Sequence, residues 1–561
     1  MDISASCFSL NIQENRKAIK EEQKQDAKFQ EIIVSCKSLS RYDGKTLKTL
    51  LPQVLAAILA ASLHMAVGLS LSFSGILVPA LDKQLQNGTD DDGQLYASKD
   101  ESAWIASVVV IIVPVGSITA GLAMDAWGRL WAVRLAIIPT VIGWCLIASA
   151  SSISMIIAGR LLTGFATAWA SIPATVYITE IARADMRGSL VVTAPSFASL
   201  GMLICFLKGW FLHWRTVAWL CNIYAIIPIL FLFLIPESPA WLVSKGKIEE
   251  AARSLNWLNK YQPQPENRHE SLAELQLHAL QKEHQAKLEE QARVGDSGAM
   301  SKVKEFFKPT GYKPLLILTG LFFFQQFAGI YITLFYSVNF FNEVGSTINP
   351  YLASVMLCLI RMVMALSNSY FLKTFNRRSL LITSGFGMAF CTGLSGLFTY
   401  LIKEGSLHAT WLPIASLLLF VVASMIGFLP IPWTMMAELF PLEIRGVANS
   451  IAYSIGNLLM FAAIQSFWGL VDVFHGFAGV QWFFAVVALF ASVYTYIFVP
   501  ETHRKKLTEI TSYFQTSTGI YILSQKKSPR KSATPSNGSR VAKKDIVLSA
   551  NGQNEKLIQN V

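Results

Sequence analysis

The chain has 561 residues, 53% hydrophobic and 15% charged, with mean hydropathy +0.43 and formal net charge +11. A soluble domain with that balance would expose far too much apolar surface, so a water-soluble enzyme is excluded. The positive excess needs no nucleic acid, because topology and a basic tail beside anionic lipid account for it.

Residues 1–50 are polar and basic (Arg16, Lys17, Lys20, Lys24, Lys28, Lys37, Arg41) and carry no apolar core with a cleavage site, so no cleavable signal is expected. Crossing a hydrocarbon layer takes roughly 20 apolar residues, and by that ruler about twelve runs qualify. They lie near 54–80, 104–124, 131–150, 153–176, 189–209 and 216–235, then 314–340, 350–372, 379–402, 411–436, 447–470 and 478–499. This predicts an all-α membrane protein of two six-helix bundles, 51–236 and 314–500. A linker over 237–313 shows helical apolar spacing at Ile248–Leu258 and from Leu272 onward. The tail, 501–561, turns rich in Ser, Lys, Gly and Asn from about residue 515, a composition that predicts disorder.

Arg129, Arg187, Arg377 and Arg445 mark short loops on one side, whereas the loop at 82–103 is acidic (Asp90, Asp91, Asp92, Asp100, Glu101). The positive-inside rule then places both termini and the linker in the cytoplasm. Asn87-Gly88-Thr89 would face outside and accept glycan, whereas the Asn537 sequon would stay bare. Most of the seven cysteines sit in apolar runs and read as packing residues. No cluster at metal-ligand spacing and no nucleophile–base pattern is visible, so neither catalysis, metal nor cofactor is expected.

Charged motifs recur in both halves. Glu180-Ile-Ala-Arg-Ala-Asp-Met-Arg187-Gly188 returns as Glu438-Leu-Phe-Pro-Leu-Glu-Ile-Arg445-Gly446, and Pro236-Glu237-Ser238 returns as Pro500-Glu501-Thr502. Asp125-Ala-Trp-Gly128-Arg129 has its counterpart in Lys373-Thr-Phe-Asn376-Arg377-Arg378. Gly allows a tight turn, and Arg offers a planar fork to carboxylates, here Glu180 and Glu438. Plain inner-face anchoring would explain a single Gly-Arg. The recurrence favours a cytoplasmic gate of Asp125, Gly128, Arg129, Glu180, Arg187, Arg377, Arg378, Glu438 and Arg445 that ties the halves together and breaks on inward opening. Duplicated apolar halves of this kind are a transporter pattern.

Over roughly residues 50–510 the chain resembles the sugar porter family of the major facilitator superfamily. The resemblance rests on those motifs together with Gly159-Arg160, Pro236-Glu-Ser-Pro-Ala-Trp-Leu242, Gln325-Gln326-Phe-Ala-Gly329, Phe335-Tyr336, Pro430-Ile-Pro-Trp433 and Asn457. Within the family it looks most like the insect facilitated trehalose transporter branch. The resemblance implies a small sugar as partner and contacts from Gln325, Gln326, Trp433 and Asn457. Amides offer a donor and an acceptor to sugar hydroxyls, and buried amides need partners, whether neighbouring helices, water or ligand. Helix–helix bonding is the competing reading for the Gln pair.

The departures bear on specificity. Pro195 stands where glucose porters have a sugar-binding Gln, Tyr331 replaces an Asn, and Arg361 stands where Asn or Gln is usual. Met425 replaces a Glu, and Phe428-Leu429 replace Pro-Gly. Leu130, Lys373 and Asn376 alter the charged motifs, which predicts a weaker second cluster. A mid-helix arginine faces a cavity or a partner, or else snorkels, so Tyr331 and Arg361 join the candidate substrate residues. Proton-coupled relatives carry an acid in the first helix; this one has only His64, which favours facilitated diffusion. The expectation is a multi-pass plasma-membrane carrier of trehalose or hexose. A sugar-sensing receptor with little transport, or a carrier of a polyol or organic anion, is the alternative. The oligomeric state is not legible.

Overall fold

A computed structural model describes residues 47–82, 95–183, 186–262, 271–294, 306–343, 348–441, 444–503, 505, 507–516 and 521. Asn87, Asn537, most of the N-terminal segment and most of the tail lie outside the described residues.

Twelve helices are long and apolar enough to cross a membrane. They are α1 (Lys48–Ala80), α2 (Lys99–Trp127), α3 (Arg129–Ala148), α4 (Ile153–Ile181), α5 (Arg187–Phe211) and α6 (Trp214–Leu234), then α7 (Pro309–Phe335), α8 (Pro350–Thr374), α9 (Arg377–Lys403), α10 (Leu412–Leu439), α11 (Arg445–Gln465) and α12 (Phe477–Phe498). No strand occurs among the described residues. The all-α reading stands. Helices α1 and α7 start some residues before their apolar runs, because Lys48 and Lys313 can extend a polar head past the apolar layer; Lys313 Nζ donates to the Phe514 carbonyl at 3.1 Å.

Local chemistry starts the helices. Ser98 and Glu101 form a reciprocal cap on α2, and the Ser152 hydroxyl accepts the Met155 N–H to start α4. Six spans are interrupted: α1 near Leu63 and at Phe73, α2 at Ile112, α3 at Ala136, α5 at Val192, α7 between Phe327 and Ile332, and α10 between Ile426 and Ile431, the last two being the widest breaks. Gly329, at φ 85°, permits the turn in α7, and Pro430 with Pro432 enforces the one in α10.

The chain enters α1 and leaves α12 on the same face, and helices Pro239–Ser244, Ile248–Leu258 and Leu272–Val294 lie there too. Trp241, Leu242, Ala251, Leu255, Ala273 and Leu277 give these linker helices a small core of their own. Call this the terminal face.

The two bundles meet away from it. One apolar cluster combines the second bundle with Leu69–Leu81, Ile105, Val110, Trp144, Met202 and Trp214 of the first, all in the helix ends remote from the terminal face. The terminal-face ends of the first bundle, including Ala57, Val133, Tyr177 and Ile229, pack in a separate cluster with no residue from the second. Polar contacts agree. Bonds that cross between bundles include Ser107 Oγ to Gln465 Oε1 at 2.7 Å and Lys99 Nζ to Asp472 Oδ1 at 2.9 Å. Trp104 packs on Phe461 beside them, with ring centroids 5.8 Å apart. Among the described residues, the packing and bonds that join the bundles concentrate on the remote face, and the apolar cluster of the terminal face belongs to one bundle.

Candidate functional site between the bundles

The break in α10 creates the first element of the site. Pro432 has no N–H, so the Phe428 carbonyl loses the helical donor it would otherwise meet. Gln325, on α7 and fully buried, supplies the replacement: its Nε2 donates to the Phe428 carbonyl at 2.7 Å and to the Leu429 carbonyl at 2.9 Å. Gln326 Nε2 donates in turn to Gln325 Oε1 at 3.2 Å. The chain of amides ends at Gln326 Oε1, a buried acceptor with no partner. Gln325 therefore acts as the helix–helix joint, and the acceptor left over belongs to Gln326.

An aromatic wall lies beside it. Trp433 packs on Phe322 (centroids 4.6 Å) and on Tyr453 (5.5 Å, edge to face). Gly456 makes this possible, because a Cβ there would sit 3.2 Å from both Trp433 and Phe322. Tyr331, next to the α7 break, neighbours Trp433 and lies within electrostatic range of Arg361. Tyr331, Trp433 and Tyr453 are all half-buried, so each keeps a surface open. Asn457 donates Nδ2 to the Tyr453 carbonyl of its own helix at 2.8 Å. Its amide nitrogen is used locally.

Arg361 is 6% exposed, yet it makes no hydrogen bond or ion pair, and its Nε is sealed without a partner. Arg160 is the opposite case. It is fully buried and donates to the Ile105 carbonyl (3.2 Å), the Ser70 carbonyl (2.6 Å) and the Ser74 hydroxyl, stapling α4 to α2 and to the break in α1. His64 on α1 is buried, with Nε2 3.5 Å from the Thr175 hydroxyl.

The charged motifs form two matching clusters on the terminal face. In the first bundle Arg129 forks onto Glu180, with Nη2 to Oε1 at 2.9 Å and Nε to Oε2 at 3.1 Å, and reaches Asp125 at 3.1 Å. In the second, Arg377 meets one oxygen of Glu438, at 3.1 and 3.4 Å. Lys373 stands where the acid would be, and no Asp125-like bond forms. Ser238 donates to Glu180 and Thr502 donates to Glu438. Glu237 accepts the backbone N–H groups of Arg129 (3.1 Å) and Leu130 (3.0 Å) at the start of α3, and Glu501 does the same for Arg377 (3.0 Å) and Arg378 (3.2 Å) at the start of α9. Gly128, at φ 111°, is required because a Cβ would sit 2.7 Å from the Glu237 carboxylate. Burial raises the Glu237 carboxyl above its ordinary range, against the pull of these N–H groups and of Arg134.

The geometry alters the sequence reading of this cluster in one respect. Each arginine–carboxylate pair lies inside one bundle, and no described ion pair joins the bundles on this face. Arg187 is exposed. Arg445 donates to the Phe440 carbonyl at 3.2 Å and lines, with Arg377, Glu438 and Thr502, a recess of about 270 Å³. Arg378 donates to the Tyr496 carbonyl and lies over the Tyr496 and Tyr521 rings. Glu237, Glu501, Ser238 and Thr502 were absent from the expected cluster, although the recurrence of their motifs was visible.

Sequence comparison decides the family. A profile described as sugar (and other) transporter matches residues 55–514. The chain belongs to the sugar transporter family. Relatives within reach of it are facilitated trehalose transporters Tret1. The one from Apis mellifera ligustica is 33% identical over 463 residues, covering 82% of this chain and 88% of the relative. The one from Culex quinquefasciatus is 32% identical over 465 residues, covering 82% and 85%. Among solved structures, the inward open conformation of the xylose transporter XylE from E. coli superposes with TM-score 0.64 at 21% identity, covering 82% of this chain and 98% of that one. The proton:xylose symporter XylE bound to 6-bromo-6-deoxy-D-glucose gives 0.59 at 20% identity, covering 83% and 99%. These likenesses establish the major facilitator fold. The family member described here is a multi-pass membrane transporter and not an enzyme.

Proposed function

We propose that the chain is a facilitative sugar carrier of the plasma membrane, with its terminal face in the cytoplasm. The observation that carries this reading is the concentration of inter-bundle contacts on the remote face, set against terminal-face ion pairs that stay within one bundle, with polar and aromatic side chains between the bundles. That is one end state of an alternating-access cycle. Gln326 Oε1, Trp433, Tyr331 and Asn457 line the site, and Gln325 sets its shape by holding the α10 break. A ring face of the sugar would lie on Trp433, and a hydroxyl would donate to the free Gln326 oxygen. Trehalose, named for the relatives, and a hexose are the first candidates. The charged clusters act as the cytoplasmic gate by stiffening each bundle's end.

Coupling to protons is disfavoured by the placement of acids. Within the twelve spans Asp and Glu occur at Asp100, Glu101, Asp125, Glu180 and Glu438, each within three residues of a helix end. Arg160 is satisfied by carbonyls and a hydroxyl rather than by a carboxylate that could take up a proton. The test is uptake of labelled trehalose, glucose and their acidic derivatives by cells expressing the chain, at two external pH values. Saturable, pH-independent uptake that Gln326→Leu weakens supports the reading. No saturable uptake of any sugar, with protein at the surface, overturns it and turns attention to a receptor role.

A further inference from the structure

We infer that the sugar carried is an acidic one: a hexose-sized, hydroxylated ring bearing a single carboxylate, which Arg361 binds. This deepens the proposed function and rests on the site between the bundles being the sugar site.

The argument starts from charge. Arginine stays ionised at any accessible pH, so Arg361 places a full positive charge in the middle of α8, eleven residues from its start at Pro350. A buried charge without a partner is costly, and proteins retain one where something else supplies the partner. Arg160 shows how this chain settles a purely structural arginine: three acceptors from two neighbouring helices surround it. Arg361 has none. No acid lies in the central part of any span to neutralise it.

Position adds to charge. Arg361 lies within electrostatic range of Tyr331, which neighbours Trp433, the half-buried ring of the site. In the proposed site Gln326 leaves Oε1 buried and unpartnered. The unmet groups there are thus one cation and one neutral acceptor. A polyhydroxylated monocarboxylate answers both: its carboxylate takes the guanidinium as a bidentate fork, and a hydroxyl donates to the amide oxygen. A neutral sugar leaves the arginine unpaired. A dianion such as a phosphate ester brings a second charge for which the site has no second free cation among the described residues.

The experiment uses the full chain in proteoliposomes with labelled D-glucuronate, D-glucose and trehalose, for wild type, Arg361→Gln, Arg361→Lys and Gln326→Leu. Wild type is expected to take up glucuronate in preference to glucose, with a current of the sign of a moving anion. A charge-assisted fork is worth about a tenfold or larger loss when removed, so Arg361→Gln should lower the glucuronate-to-glucose uptake ratio by that factor. Arg361→Lys should restore part of the glucuronate preference, and Gln326→Leu should weaken both substrates together. An unchanged glucuronate-to-glucose ratio in Arg361→Gln, or a wild type that prefers neutral sugar, overturns the inference and leaves the sugar carrier standing. If wild type moves none of the three, the proposed function falls and the inference with it. Should Arg361→Gln fail to fold, thermal stabilisation of wild type by glucuronate against glucose decides: equal stabilisation overturns the inference.

Discussion

Arg129 and Glu180 bond twice within one bundle, Nη2 to Oε1 at 2.9 Å and Nε to Oε2 at 3.1 Å. The pair is largely shielded, at 13% and 19% exposure. Removing one partner strands the other charge, at a cost of about 1–3 kcal/mol. Arg129→Ala and Glu180→Ala are therefore expected to cut uptake about tenfold at unchanged surface amount, and the double variant to be no worse than either. Normal uptake in both single variants would remove this cluster from the transport cycle.

The second pair is looser. Arg377 meets one oxygen of Glu438 and lacks the acid that Asp125 supplies to Arg129. Arg377→Ala should then reduce uptake less than Arg129→Ala does. An equal or larger loss would show that the fork is not what matters.

The remote face is held by Ser107–Gln465 and Lys99–Asp472. Gln465→Ala removes the buried end of this latch and should favour opening on that side. A cysteine placed at Ala103, which is 3% exposed, then reports it. Labelling by an impermeant maleimide should speed up several-fold, and unchanged labelling would show that packing alone closes this face.

Arg160 is structural. Arg160→Ala strands the Ser70 carbonyl at the α1 break and cuts the bonds to Ser74 and to the Ile105 carbonyl of α2, and three charged hydrogen bonds make this a loss of about 3 kcal/mol or more. The expected readout is a large fall in melting temperature and in surface protein, before any change in substrate preference.

Glu237 makes stability depend on pH. Its carboxyl is raised by burial, so the folded state binds a proton more readily than the unfolded chain. The stability linked to that proton is present below the ordinary carboxylate range and is lost as pH rises through the raised folded-state value. Wild type should gain melting temperature on mild acidification across that window relative to Glu237→Gln. Parallel curves for the two proteins would show that Glu237 does not titrate there.

Much of this was legible in the sequence, because a bilayer imposes length and apolarity on each span, and duplication marks the charged loops. The Gln325 assignment was not. Its partner carbonyl is freed by Pro432, about a hundred residues away, and only the fold brings the two together. The gate suffered from the same limit: spacing shows which charges recur but not whether a carboxylate sits in its own bundle or the other. Glu237 and Glu501 recur as clearly as Glu180 and Glu438, yet their bonds run to backbone N–H groups, which leave no mark in a sequence.

The most direct measurement is the end level of sugar uptake by purified protein in liposomes. Trehalose, glucose and glucuronate are offered without any ion gradient or membrane potential. The account predicts saturable entry of at least one of them to an internal concentration equal to the external one, slowed by Gln326→Leu. Dependence of entry on an imposed proton gradient would contradict facilitated diffusion, and absence of entry for all three would contradict sugar transport itself.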